Sequence, residues 1–151
     1  MFEDLRDLYN DLILDHEKHP RNFRVLEGAT QSAQGYNPIC GDNIRLYLNV
    51  ENGVIKDACF DGHGCALCKA SASLLTEIVK GKTKAQAEEI FGHVRELMMT
   101  GNANGDVGKL IAFSTVHQRP IRIKCAILPW HALAAALKGE AAPVSTENEQ
   151  T

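Results

Sequence analysis

The sequence predicts an α+β domain in which a small antiparallel three-stranded sheet carries helices packed on one side. The apolar period is two over residues 43–60 and changes to about 3.6 after residue 64. Between the alternating segments stands Asn52-Gly53, a strong hairpin turn signal. Because the strands precede most of the helices, the α+β class is favoured over alternating α/β. With 151 residues, the chain is one domain that can bury its own core.

The first half of the chain supplies one helix and the three strands. Apolar residues at i, i+3, i+4, i+7 and i+8 predict an amphipathic first helix, which ends near His16–Pro20 because proline disfavours helix in the residue before it. Those apolar residues are Leu5, Leu8, Tyr9, Leu12 and Ile13. A weak signal places the first strand within residues 29–36, and clearer patterns place the second at 43–50 and the third at 54–60.

The second half of the chain is predicted to be helical. A helix over residues 66–80 stops at Gly81, and the capping-box spacing of Thr83 and Gln86 starts another that runs to about Met99. A short helix follows from Asp106 to about Thr115. The last helix is expected to begin near Cys125 and end at Lys138, with Pro129 within its first turn. The predicted domain is therefore residues 1–138, and the polar residues 139–151, which lack an apolar period, are predicted to form a disordered tail.

Charge and composition exclude several classes of protein. Lys plus Arg number 16 and Asp plus Glu 19, for a net charge of −3, so we expect no nucleic acid and no membrane surface as partner. The N-terminus is acidic and unlike a signal peptide, and the longest charge-free apolar stretch, 125–137, is too short and too polar to span a bilayer. The five cysteines are odd in number, which disfavours a disulfide framework and favours metal, redox or sulfur chemistry in the cytoplasm.

Three cysteines lie at the predicted ends of elements. Cys40 stands in a Pro/Gly loop before a strand, whereas Cys65 and Cys125 are each placed at a helix N-terminus, where the helix dipole lowers a thiol pKa. Asp42, two residues after Cys40, adds an oxygen. If the fold brings the four together, they form a three-sulfur, one-oxygen tetrahedral site suited to zinc or to an iron–sulfur cluster.

The motifs around these residues resemble the NifU/IscU/SufU family of iron–sulfur cluster assembly proteins over roughly residues 5–138. They are Asn37-Pro38-Ile39-Cys40-Gly41-Asp42, Gly62-His63-Gly64-Cys65 followed by Lys69-Ala70-Ser71-Ala72-Ser73, the Cys125 segment, and Asp15-His16 with His19-Pro20-Arg21-Asn22. The resemblance implies that Cys40, Asp42, Cys65 and Cys125 are the metal or cluster ligands. It also implies a cysteine desulfurase as partner, with downstream iron–sulfur apo-proteins or a cluster scaffold as acceptors.

In two features the chain resembles the SufU branch of the family, whose members are zinc-containing sulfur acceptors. The stretch between Cys65 and Cys125 carries an insertion around residues 82–105, and Lys124 stands where the IscU branch has a histidine. Residues 117–122 replace the segment that docks a dedicated chaperone in the IscU branch, which disfavours a chaperone partner. Cys68 departs from both branches.

The ligand set is compatible with two functions. One is a zinc-dependent sulfurtransferase in which Cys40, on the most flexible segment, accepts the sulfur. The other is a scaffold that builds a labile [2Fe-2S] cluster and transfers it to apo-proteins. A third reading, a structural zinc module, is disfavoured by Asp42, since closed structural sites use Cys and His.

The other polar residues near the motifs leave alternatives open. Arg122 and Lys124 either steer a persulfide and stabilise thiolates, a catalytic role beside Cys40 and Asp42, or form a solvated edge. Cys59 is predicted to be packed in a strand. Cys68 either packs beside the site or serves as a spare ligand.

Overall fold

The α+β prediction is confirmed by the structure, a computed structural model that describes residues 2–103, 105–139 and 144–146. In chain order the elements are α1 (Phe2–Lys18), β1 (Gln31–Asn37), β2 (Asp42–Glu51), β3 (Val54–His63), α2 (Ala66–Val79), α3 (Lys84–Thr100), a 3₁₀ segment (Gly108–Gln118), α4 (Pro120–Lys138) and β4 (Val144–Ser145).

Strands β1, β2 and β3 form the predicted antiparallel sheet, with β2 in the centre. The alternation of β2 buries Ile44, Leu46 and Leu48 on one face, as its period of two predicts. Asn52 and Gly53, with φ of 53° and 77°, join β2 to β3 in the left-handed conformation that a two-residue hairpin turn requires. The buried face of β2 therefore defines the core side of the sheet.

Helices α2 and α4 pack on the sheet and on each other, while α1 packs on α2, and α3 and the 3₁₀ segment pack beside α4. Thr83 and Gln86 form the predicted capping box at the start of α3. Asp106 Oδ1 accepts a hydrogen bond of 2.9 Å from the Gly108 N–H, where the sequence predicts a short helix. The observed element there is the 3₁₀ segment.

The start of α4 differs from the prediction. The helix begins at Pro120, so Cys125 is its sixth residue and not its N-terminus. Proline is common at the first helical position, because its φ is already fixed at a helical value and because an N–H at that position would have no partner within the helix. Pro129 consequently lies inside α4, where it cannot donate the i→i−4 hydrogen bond to the carbonyl of Cys125.

Four residues of the predicted disordered tail are described by the structure, Gly139 as the C-cap of α4 and residues 144–146. Val144 and Ser145 form β4, which pairs in parallel with β1 and adds a fourth, two-residue strand to the predicted three. Thr146 is buried. Such pairing satisfies backbone groups at the edge of β1 and needs no apolar period, so composition does not reveal it. Residues 140–143 and 147–151 of the predicted tail lie outside the described residues.

Within the described part of the chain, no helix is both long enough and apolar enough to cross a membrane.

Candidate metal centre

The β1–β2 hairpin positions Cys40 and Asp42. Asn37 and Asp42 are paired directly across the two strands, and a four-residue loop carrying Cys40 connects them. Asp42 shares the inward strand face with Ile44, which explains why this carboxylate is fully buried. Cys40, in contrast, is exposed on the loop. Gly41 closes the loop with a φ of +73°, in the left-handed region that favours glycine.

The junction of β3 and α2 brings Cys65 to the same place. Cys65 is the N-cap of α2, and its sulfur accepts a hydrogen bond of 3.5 Å from the Cys68 N–H. The Cys65 N–H donates to Asp42 Oδ1 at 2.7 Å. A side chain at Gly64 would place its Cβ 2.9 Å from the same oxygen, so the close approach depends on a residue without a Cβ.

Helix α4 supplies the third sulfur. Cys125 Sγ lies 3.2 Å from Cys40 Sγ, beyond disulfide length, and all five cysteines are free. Donor atoms of Cys40, Asp42 and Cys125 all lie within 4.8 Å of one another. Cys65 Sγ lies 4.0 Å from Asp42 Oδ2. The structure therefore groups three of the four predicted donors within 4.8 Å of one another and places the fourth, Cys65, beside the Asp42 carboxylate of that group.

The chemistry of this donor set fits a metal. Three thiol sulfurs and one carboxylate oxygen converge from a hairpin loop, a helix N-cap and a helix interior. Thiolates bind zinc and the iron of iron–sulfur clusters, and zinc also accepts carboxylate oxygen. Cys40, Asp42, Cys65 and Cys125 are thus suited to hold either one.

The two inner thiols differ in acidity. The pKa of Cys65 is lowered to about 7, chiefly by its interaction with the Cys125 thiol and also by the Cys68 N–H, while burial opposes the shift. The pKa of Cys125 is raised by Cys65, by burial and by Cys40. A lowered thiol pKa was expected at both residues from helix N-termini. The direction of the shift agrees with this prediction at Cys65, although its largest cause is the Cys125 thiol and not the start of α2. At Cys125 the direction is opposite, because Cys65, burial and Cys40 raise the pKa.

Asn37 is a member of the site that sequence reasoning missed. Its side chain is fully buried and donates from Nδ2 to Asp42 Oδ2 at 3.1 Å and to Cys125 Sγ at 3.6 Å. A buried amide that donates to two candidate ligands stabilises both in their anionic forms. The available signal was its place as the first residue of the motif that also contains Cys40 and Asp42. The structure adds that Asn37 faces inward at the end of β1, directly opposite Asp42.

Tyr9, which the sequence places on the apolar face of the first helix, also lies near the centre. It is half-buried, and burial raises the pKa of its hydroxyl. The charge of Arg122 lowers that pKa, and negative charge on Cys65 and Cys125 raises it, so the ring lies within electrostatic reach of the centre.

Arg122 is exposed and lies one helical turn before Cys125 on α4. It lines an open cleft of about 370 Å³ together with Gln118, Arg119, Pro120 and Ile121. Arg122 is therefore an exposed cation one turn from Cys125 along α4 and outside the donor set.

The remaining predicted neighbours are placed as follows. His63 is exposed at the end of β3 and lines a small cavity of about 130 Å³ with Lys69. Cys59 is buried in β3. Cys68 is buried in the apolar core one turn after Cys65, and desolvation raises the pKa of its thiol well above the usual value. Both Cys59 and Cys68 are packed, in agreement with the packing alternative.

Comparison with known proteins identifies the family. Residues 8–139 match the model of the NifU-like N terminal domain. Over 135 residues, covering 87% of this chain and 93% of the relative, the chain is 42% identical to the iron-sulfur cluster assembly scaffold protein IscU of Thermotoga maritima. It is 39% identical over 142 residues to the zinc-dependent sulfurtransferase SufU of Bacillus subtilis, covering 90% of this chain and 93% of that protein.

A solved structure agrees with these relatives. The crystal structure of a putative iron-sulfur cluster assembly scaffold protein for the SUF system, from Fervidobacterium islandicum AW-1, superposes with a TM-score of 0.81 at 34% identity. The match covers 87% of this chain and 98% of that one. The chain therefore belongs to the NifU/IscU/SufU family of iron–sulfur cluster assembly proteins.

Proposed function

We propose that this protein accepts sulfur from a cysteine desulfurase on Cys40 and passes it on for iron–sulfur cluster assembly, as a zinc-dependent sulfurtransferase. In this proposal Cys40, Asp42, Cys65 and Cys125 hold the zinc. The observation that carries the proposal is the contrast in exposure within one donor set. Cys40 is exposed on a loop, whereas Asp42 is fully buried and Cys125 is 2% exposed. Cys65 is partly exposed at the start of α2, so Cys40 is the most accessible of the three sulfur donors and the one best placed to meet a partner's sulfur.

The transfer step follows ordinary thiol exchange. The Cys40 thiolate attacks the outer sulfur of the desulfurase persulfide, the sulfur–sulfur bond of that persulfide breaks, and the desulfurase thiolate leaves. Cys40 then carries the persulfide, and an acceptor thiolate removes its outer sulfur in the same way. Atoms and charge balance without an external oxidant or reductant. Zinc, when bound, keeps the site thiols deprotonated.

Asp42 and Arg122 have separate roles in this scheme. Asp42 is the hard oxygen ligand among soft sulfurs, so its carboxylate is the ligand most readily released, and it can take a proton from an incoming thiol. Arg122, exposed one turn from Cys125, places a positive charge where it attracts an anionic persulfide.

The SufU assignment is supported by two features of the chain. The insertion around residues 82–105 contains the whole of α3, and Lys124 on α4 precedes Cys125. We further propose that the protein works in the cytoplasm, where thiols stay reduced. Its partners there are a cysteine desulfurase and, downstream, iron–sulfur apo-proteins or a cluster scaffold.

Mass spectrometry tests the proposal. The zinc-loaded protein is incubated with a cysteine desulfurase and cysteine, and thiol-alkylated peptides are analysed for one added sulfur. We expect the added sulfur on Cys40, and none in Cys40→Ser. Cys59→Ser, which removes a buried cysteine of β3, serves as the matched control and retains the modification. Sulfur found mainly on Cys125 would contradict the assignment and favour the scaffold.

A scaffold for a labile [2Fe-2S] cluster is the second candidate. It is favoured by the relative that is 42% identical, which bears the name of an IscU scaffold protein. The same four donors serve a cluster as cargo, with thiolates on iron. Because both functions use the same ligands, two measurements distinguish them. One is whether the isolated protein contains zinc or an iron–sulfur cluster, and the other is which cysteine receives the added sulfur.

A further inference from the structure

The side chain of Asn37 has all of its hydrogen-bonding groups occupied. Its Nδ2 donates to Asp42 Oδ2 at 3.1 Å and to Cys125 Sγ at 3.6 Å. Its Oδ1 accepts a hydrogen bond of 3.1 Å from the hydroxyl of Thr146. The Asp42 carboxylate can only accept hydrogen bonds, so it determines that the amide nitrogen faces the ligands, and the Thr146 hydroxyl holds the amide oxygen at the other end of the group.

Thr146 is held in place by the sheet. The residue is 1% exposed, and its N–H donates to the carbonyl of Tyr36 at 3.1 Å, immediately after the two-residue pairing of β4 with β1. Its hydroxyl therefore contacts the oxygen of the Asn37 amide, whereas Asp42 and Cys125 contact the nitrogen. Without that hydroxyl, Asn37 Oδ1 would be a buried acceptor lacking its partner, a condition that favours rearrangement of the amide.

We propose that Thr146 is a positioning residue of the metal centre, which acts through Asn37 on the orientation of Asp42 and Cys125. The inference rests on the metal-binding part of the proposed function and adds to it a contribution from the C-terminal segment. Outer hydrogen-bond partners fix the geometry and basicity of the ligands they touch. By thermodynamic reciprocity, a metal that requires this amide orientation also favours the docked position of β4.

The test compares zinc affinity among full-length variants by competition with a chromogenic chelator. Thr146→Val keeps the shape of the side chain but removes the hydroxyl, and we expect it to weaken zinc binding about fivefold, the effect of one lost hydrogen bond. Thr146→Ser keeps the hydroxyl and is expected to restore the wild-type affinity. Asn37→Ala, which removes the contact to both ligands, is expected to weaken binding about 10- to 100-fold.

Thr76→Val is the matched control. Thr76 is equally buried, and its hydroxyl donates to the Ser73 carbonyl in α2 at 2.7 Å, where it touches none of the four donors. We expect this variant to lose stability without losing zinc affinity. A second measurement uses Co(II) in place of zinc, since the visible bands of Co(II) report ligand geometry. These bands are expected to shift in Thr146→Val and to remain unchanged in Thr146→Ser and Thr76→Val.

Three results would overturn the inference. They are an unchanged affinity and Co(II) spectrum in Thr146→Val, equal losses in the Val and Ser variants, and equal losses in Thr146→Val and Thr76→Val. A wild-type protein that binds no zinc would instead overturn the proposed function, and the inference with it. The two failures are therefore distinguished by the wild-type measurement alone.

Discussion

At the scale of single residues, Asp42 is held differently from the three sulfur donors. Both of its oxygens already accept hydrogen bonds, from the Cys65 N–H and from Asn37 Nδ2. The carboxylate is therefore kept in place by the protein even when it leaves a metal. This arrangement suits a ligand that opens and closes a coordination position. When the carboxylate is released from the metal, both of its oxygens still have hydrogen-bond partners, so no buried polar atom is left unsatisfied.

We predict that Asp42→Ala, although its affinity for zinc is lower, still holds zinc at saturating metal and transfers sulfur more slowly. Three thiolates remain to hold the metal, whereas the labile oxygen ligand is gone. The apo-protein is also expected to lose about 1–3 kcal/mol of stability, since two buried donors lose their acceptor. Zinc content and delivery of sulfur to an apo-acceptor are measured separately. Parallel loss of zinc and transfer would show that Asp42 is only an anchor.

A second prediction concerns Gly64. Its missing Cβ leaves room for Asp42, since an added Cβ would lie 2.9 Å from Oδ1. Gly64→Ala is therefore expected to displace the carboxylate and weaken zinc binding about tenfold or more, as loss of ligand support does. Gly92→Ala, in open space on α3, is the control. It is expected to leave zinc binding unchanged and to stabilise the fold by about 0.5–1 kcal/mol. Wild-type affinity in Gly64→Ala would show that the contact is not required.

At the scale of elements, α1 is attached to α2 by a buried histidine. His16 is 1% exposed, and its Nδ1 lies 2.7 Å from Ser73 Oγ. Burial lowers the pKa of His16, and the nearby Arg21 guanidinium lowers it further, while Glu77 and Asp15 oppose the shift. The folded protein therefore binds a proton at this site less readily than the unfolded chain does.

The lowered pKa of His16 predicts an acid-sensitive stability. Above about pH 6.5, His16 is neutral in both states and the folded state has no penalty. As the pH falls from there through the lowered folded pKa, the unfolded state binds the proton first, so the free energy of unfolding decreases. Urea unfolding of His16→Gln is expected to remove that part of the pH dependence. An unchanged pH dependence in His16→Gln would contradict this assignment.

The elements also show which features of the fold sequence patterns can predict and which they cannot. The alternation of β2 and the Asn52-Gly53 turn predicted the hairpin because both are local and physical signals. The start of α4 was misplaced because Pro120 is compatible with either a break or a first helical turn. That error placed Cys125 at a helix N-terminus, whereas the residue lies inside α4, where the neighbouring Cys65 and Cys40 thiols and burial raise its pKa.

The candidate site was predicted in part for a similar reason. Its four donors lie in short motifs with Gly, Pro and Cys, which a single sequence displays. Asn37 and Thr146 were missed because their roles depend on strand register and on the docking of β4 onto β1. A hydrogen bond between residues 109 positions apart has no local pattern that reveals it.

At the scale of the whole molecule, the core does not depend on the metal centre. The large buried side chains, among them Trp130, Phe113 and Leu46, lie in one continuous apolar cluster formed by the sheet and the helices. A metal bound only by the folded state adds to this stability by mass action. Removing it should therefore lower the melting temperature and leave the fold intact.

Removal of the metal by a chelator tests whether the fold is independent of the metal centre. We predict that removal of zinc, present at about a hundredfold over its Kd, lowers Tm by roughly 5–10 °C. Circular dichroism at room temperature should still show the folded spectrum. An apo-protein that is unfolded at room temperature would mean that the metal is a structural requirement, as in small zinc modules.

The metal content and visible absorption of the protein purified without oxygen test the central claim most directly. Sulfur acceptance at a zinc site predicts about one zinc ion per chain and no visible absorption, since zinc is a closed-shell d¹⁰ ion. The four donors are then saturated by zinc, and Cys40 becomes persulfidated only when the desulfurase and cysteine are added. A brown protein that contains iron and sulfide in place of zinc would contradict the account and identify the centre as a cluster scaffold.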